Sequence, residues 1–139
     1  MYKRQDRPCV TRDLHIHGFH RHSAQFGALA IYGSDAVGIE ELVDERPELC
    51  EQLHSALPIT GAEIVWAARH EMARTVDDVL ARRTRALFLN TKAAVEMAPR
   101  VAELLARELN RGAAWKEAQV AQFAEIAAFF TAPQPNQKT

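Results

Sequence analysis

From residue 61 onward apolar side chains recur at three- and four-residue intervals, and from Met1 to Phe26 they do not. The larger part of the chain therefore reads as helical and its start as irregular. Thr60 with Glu63 three positions on makes a capping box, after which Ile64, Val65, Ala68 and Met72 form one apolar stripe. Thr75 and Asp78 repeat the device for a helix expected to run to about Leu89, with Val76, Val79, Leu80 and Leu87 on its inner face. Asn90 or Thr91 is expected to cap a short segment ending near Ala98. Pro99 suits the first turn of the next helix, which carries Val101, Leu104, Leu105 and Leu109, and Asn110, Arg111 and Gly112 close it as a C-cap. A last helix, from Ala114 to about Thr131, turns Trp115, Phe123, Ile126 and Phe130 inward.

The first sixty residues carry weaker signals. Met1 to Phe26 holds Pro8, Gly18 and a run of histidines without a sustained period. Gly27 to Tyr32 is a short apolar run, and YGSD, Tyr32 to Asp35, supplies a turn in which Ser34 or Asp35 caps a helix toward Val43. Pro47 then opens a helix in which Leu49, Cys50, Leu53 and Leu57 follow helical spacing until Pro58, so Cys50 reads as a small buried hydrophobe. The expected fold class is all-α, a compact bundle of five to six helices with an irregular N-terminal arm. Its expected parts are an arm or linker over 1–26, a helical domain over 27–131 and a disordered tail over 132–139.

Composition narrows the function classes. A chain of 139 residues is the size of one domain, or of one piece of a larger protein. Seventeen basic and eighteen acidic residues leave a formal charge of −1, so no global field recruits nucleic acid. The two cysteines come with no secretory leader, and no apolar run approaches the roughly 20 residues that span a bilayer, so a cytoplasmic location with free thiols is expected.

Three features of the sequence bear on chemistry. LHIHGFHRHS, Leu14 to Ser23, holds His15, His17, His20 and His22, with Asp13 and Cys9 nearby, but the spacing matches no zinc frame and the ordinary reading is a solvated loop. The six glycines are too dispersed for a phosphate loop, and no nucleophile elbow, CxxC pair or HExxH helix is present. No catalytic, cofactor-binding or metal-ligating residue is therefore assigned. The third, RHEMARTVDDVLARRTR, interleaves five arginines with three carboxylates. Arg69 and Arg83 fall on the apolar stripes of their helices, where a guanidinium needs a partner, and Glu71, Asp77 and Asp78 are the candidates. A structural ion-pair network of Arg69, Glu71, Arg74, Asp77, Asp78, Arg82 and Arg83 is expected, with Arg85 a solvated charge. The alternative reading makes Arg82, Arg83 and Arg85 a docking cluster for an anionic partner or a membrane surface. Asp77 and Asp78, just before the arginines, argue against nucleic acid.

These residues also carry a resemblance. EIVWAARHEMARTVDDVLARRTRALFLN, Glu63 to Asn90, is similar to the helical C-terminal (cap) domain of the FAD-dependent aerobic glycerol-3-phosphate dehydrogenases and alpha-glycerophosphate oxidases, whose pattern there is R-x-E-x-A-R followed by D-D-x-L-x-R-R-T-R. CVTRDL followed by IHG, Cys9 to Gly18, resembles that family's crossing from flavoprotein domain to cap, and YGSD its next signature. The resemblance implies an accessory domain, inactive alone, of an enzyme that oxidises sn-glycerol 3-phosphate to dihydroxyacetone phosphate and passes electrons through FAD to quinone. It further implies that FAD belongs to the parent enzyme and not to this chain. The implied partner is the N-terminal FAD-binding domain, with the parent peripheral to the inner face of the cytoplasmic membrane. A homodimer and a peripheral membrane contact stay open as further partners.

Overall fold

The computed structural model describes residues 9–131 and divides the chain into two compact units, one up to Gly38 and one from Ile39. The expected tail over 132–139 and the first eight residues of the arm lie outside the described residues. The structure is mostly helical, as the periodicity implies, with one small two-stranded sheet.

The first unit is built from turns. A 3-10 helical stretch, Ser23–Asp35, is interrupted at Gly27 and Gly33, both with positive φ, and leads into α1, Ala36–Glu45. The Gly18 carbonyl accepts a hydrogen bond from Ser34 N–H at 3.1 Å. A Cβ on Gly33 would lie 1.7 Å from that same oxygen, so this crossing of IHG with YGSD admits only glycine.

The second unit holds a conventional apolar core. After a 3-10 turn, Pro47–Cys50, come β1, Gln52–His54, and β2, Leu57–Thr60, paired antiparallel. Then follow α2, Gly61–His70; a π-helical turn, Asp78–Arg83; α3, Ala86–Leu89; α4, Thr91–Glu108; and α5, Ala113–Ala128. Helix α4 is central and packs against α2, α3 and α5. Val101 and Leu105 of α4, Ile64 and Val65 of α2, Leu87 of α3 and Phe123 of α5 are fully buried.

Five local expectations are corrected. The helix from Pro47 to Leu57 is instead a turn and a hairpin: Leu57 and Ile59 are buried with Pro58 exposed between them, a period of two, and a two-stranded edge tolerates the missing N–H of proline. Cys50, at the end of the turn, is exposed. The helix expected from Thr75 to Leu89 breaks at Arg85, whose φ of 58° places it in the left-handed region. Pro99 lies inside α4 and does not start a helix. Pro99 is on the exposed face, so the Val95 carbonyl it deprives of a donor lies on the solvent side, while the buried row Ala94, Met97, Ala98 and Val101 runs past it unbroken. Met72, expected on the buried stripe of α2, is 77% exposed, because the helix ends at His70 and the chain reverses at Met72 with φ 59°.

Other end signals act as their residue types dictate. Glu63 accepts from Thr60 N–H at 2.8 Å, and Asn90 Oδ1 accepts from Ala93 N–H at 3.1 Å. Asn110, left-handed at φ 53°, closes α4 as Arg111 N–H reaches the Ala106 carbonyl at 2.8 Å. Of the side chains expected inward on α5, Phe123 is buried, Trp115 and Ile126 are partly buried, and Phe130 is exposed. Gln119, not expected inside, is buried where its Oε1 accepts from Val76 N–H at 3.1 Å.

Candidate functional site

The arginine-rich stretch occupies the turn between α2 and α3, and Arg74, Arg82 and Arg83 are spent on local groups. Arg82 pairs with Asp77 at 2.7 Å and with Asp78 one helical turn back. Arg83 donates to the Glu71 main-chain carbonyl from Nη2 at 2.6 Å and Nε at 3.2 Å, with the Glu71 carboxylate at 3.5 Å. Those bonds satisfy an acceptor just past the last turn of α2, so Arg83 acts as a C-terminal cap as much as an ion-pair partner. Arg74 sends its guanidinium to the carbonyls of Ala68 and Ala73 at 2.8 and 3.0 Å, and its main-chain N–H to Asp78 at 3.0 Å. Asp78 thus collects the N–H groups of Arg74 and Thr75 together with Arg82. Partial burial pushes its carboxyl up, but those donors outweigh burial and hold it below the usual carboxylate range.

Arg69 departs from this network. Its Nε reaches Glu108, at the end of α4, at 2.7 Å, and Arg46 approaches the same carboxylate at 3.1 Å. Burial alone would raise the Glu108 carboxyl; the two guanidiniums turn the net direction downward. Of the seven expected members, Glu71, Arg74, Asp77, Asp78, Arg82 and Arg83 gather at one turn, while Arg69 forms a second cluster with Arg46 and Glu108. Local spacing offers no sign of that pair, whose members stand 39 positions apart. The His54–Glu96 contact at 2.8 Å is equally non-local.

The four histidines take separate places. His15 stacks on Phe19 and His20 meets Phe26 edge-on. His22 N–H donates to His20 Nδ1 at 3.2 Å, and His17 Nε2 lies 2.8 Å from Asp35. Among the described residues no three metal-ligating side chains converge. Cys9 is exposed, its thiol pulled below the ordinary value by the Thr11 hydroxyl 2.8 Å away.

One surface was legible only in part. Phe88 and Leu89 on α3, and Phe129 and Phe130 just after α5, are 56%, 69%, 89% and 48% exposed. Phe88 and Phe130 meet edge-to-face with centroids 5.3 Å apart. The strings ALFL and FF carry this signal, but their periodicity alone reads as core.

The described geometry can fasten helices to one another and offers no nucleophile held by a base. The sequence pattern of the family described as the C-terminal domain of alpha-glycerophosphate oxidase matches residues 9–120. The chain belongs to that family. Among curated relatives it is 39% identical to the mitochondrial glycerol-3-phosphate dehydrogenase of Mus musculus over 103 residues, 71% of this chain and 14% of that protein. It is 36% identical to that of Bos taurus over 95 residues, 66% of this chain and 13% of that protein. It is 38% identical to that of Homo sapiens over 85 residues, 58% of this chain and 12% of that protein. The chain thus spans only about one-seventh of the length of the curated relatives it matches. No solved structure matches it. Both signatures that bracket the first unit and the whole arginine-rich turn lie within the matched stretch.

The family resemblance assigns FAD to the parent enzyme and not to this chain. The one close glycine pair, Gly18 and Gly33, is filled by its own backbone, leaving no room for a pyrophosphate between them. The amino end of α2 is closed by the carboxylate of Glu63, which repels an anion, and that of α4 by Asn90. No described helix is long and apolar enough to cross a membrane.

Proposed function

We propose that this chain is the C-terminal accessory domain of an FAD-dependent glycerol-3-phosphate dehydrogenase. That enzyme converts sn-glycerol 3-phosphate to dihydroxyacetone phosphate and delivers the electrons to quinone. The flavin and every catalytic group belong to the remainder of the enzyme, and the domain's part is structural. The observation that carries this reading is the match over residues 9–120 to a C-terminal domain, against relatives of which the chain covers about one-seventh. The spent arginines agree with it: Arg82 and Arg83, the centre of the alternative anion-docking reading, are already held by Asp77, Asp78 and Glu71. In this reading the parent enzyme is peripheral to the inner face of the cytoplasmic membrane. The purified chain is expected to be colourless and to reduce no dye with glycerol 3-phosphate. Copurification of flavin near one equivalent, read by its visible absorbance, overturns this division of labour.

A further inference from the structure

The patch of Phe88, Leu89, Phe129 and Phe130 is larger than single exposed apolar residues explain. Its aromatic pair is already ordered, so little side-chain freedom is lost when something covers it. Thr91 Oγ1, at the start of α4, reaches the Leu87 carbonyl of α3 at 2.9 Å and the Phe130 carbonyl beyond α5 at 3.5 Å. The surroundings are cationic: from Val79 to Val95 the sequence has Arg82, Arg83, Arg85 and Lys92 and no carboxylate. Arg82 and Arg83 are paired with Asp77, Asp78 and Glu71, and Lys92 lies 4.0 Å from Glu96, which leaves Arg85, just before α3, exposed and without a partner among the described residues.

We propose that this patch is the surface on which the remainder of a glycerol-3-phosphate dehydrogenase docks, through an apolar area rimmed by acidic side chains. The proposal rests on the function proposed above and adds where the contact lies. Three occupants compete for such a surface. A second copy of this chain brings Arg85 of both copies toward one another across a twofold contact, with no carboxylate between Val79 and Val95 to receive them. An anionic bilayer calls for a cluster of about four to eight uncommitted cations, and here only Arg85 of the four is without a described partner. The relatives, by contrast, carry about six-sevenths of their length outside the matched region, enough to cover a patch of this kind. Arg85 is well suited to reading a carboxylate there, since it is exposed just before α3 and has no partner among the described residues.

The test titrates this chain against a glycerol-3-phosphate dehydrogenase from which the region it matches has been deleted. The variants are Leu89→Asp and Phe129→Asp, both at highly exposed side chains, with Met72→Asp as an equally exposed control and circular dichroism to verify folding. The expected result is binding by the wild type and the control, weakened about tenfold or more by each patch variant. Binding that ignores both patch variants overturns the patch while leaving the accessory-domain reading standing. Absence of binding by the wild type overturns both. Attachment to anionic vesicles lost in the patch variants, without binding to the truncated enzyme, replaces the proposal with a lipid contact.

Discussion

The two units are held by different means. Up to Gly38, order among the described residues comes largely from backbone meeting backbone, Gly18 against Gly33 and Ser34 N–H on a carbonyl, beside the His17–Asp35 pair and the ring contacts of His15 and His20. From Ile39 onward it comes from side chains, with Leu49, Ile64, Leu80, Met97, Leu105 and Phe123 shielded from water. A backbone crossing tolerates almost any side chain around it but no Cβ at its centre. An apolar core tolerates exchange of similar side chains but resists loss of volume.

The largest expected effect tests the core half of this contrast. Leu105→Ala should cost about 3 to 5 kcal/mol in denaturant unfolding, since the side chain is fully buried on the central helix. A loss under about 1 kcal/mol would show that α4 repacks freely. The crossing is tested by Gly33→Ala, which places a methyl group 1.7 Å from the Gly18 oxygen at a φ of 57°. We expect roughly 2 kcal/mol or more of local destabilisation, read as faster amide exchange at Ser34 with protection at Leu105 retained. Uniform loss of protection would erase the distinction between the units. The smallest effect belongs to Glu108→Gln, expected to cost about 1 to 2 kcal/mol at neutral pH because Arg69 and Arg46 are partly hydrated. The folded carboxyl is held below its unfolded value. The native state therefore binds fewer protons, and this stability is full above the unfolded carboxylate pKa and lost as pH falls through the folded one. Wild type and variant should converge in stability as pH drops below about 4.

What was legible in the sequence follows the range of each interaction. Thr60 with Glu63, Asn90 with Ala93 and the stripe Val76, Val79, Leu80 act within one turn, and each lies where its pattern implies. The hairpin was missed because Leu49, Leu53 and Leu57 satisfy a helical period, while the competing alternation of Leu57, Pro58 and Ile59 is only three residues long. Pro99 was read by its local preference, which the continuous packing of α4 overrides. At the site, residues within a few positions of Asp78 could be grouped by spacing. The partner of Arg69 could not, since nothing local to Arg69 distinguishes Glu108 from Glu71.

The shared carboxylate of Glu108 also bears on how fast the second unit assembles. Arg69 closes a loop of 39 positions to it and Arg46 one of 62. Closing a longer loop costs more chain entropy, though only logarithmically, so the Arg69 contact is the cheaper one to form first. Once it exists, Arg46 has only the shorter stretch to Arg69 left to close. One acidic side chain thereby converts a distant encounter into a nearer one, and the hairpin between Gln52 and Thr60 shortens that remaining stretch again. The expected order is the end of α4 joining α2 first, with the segment before the hairpin arriving last.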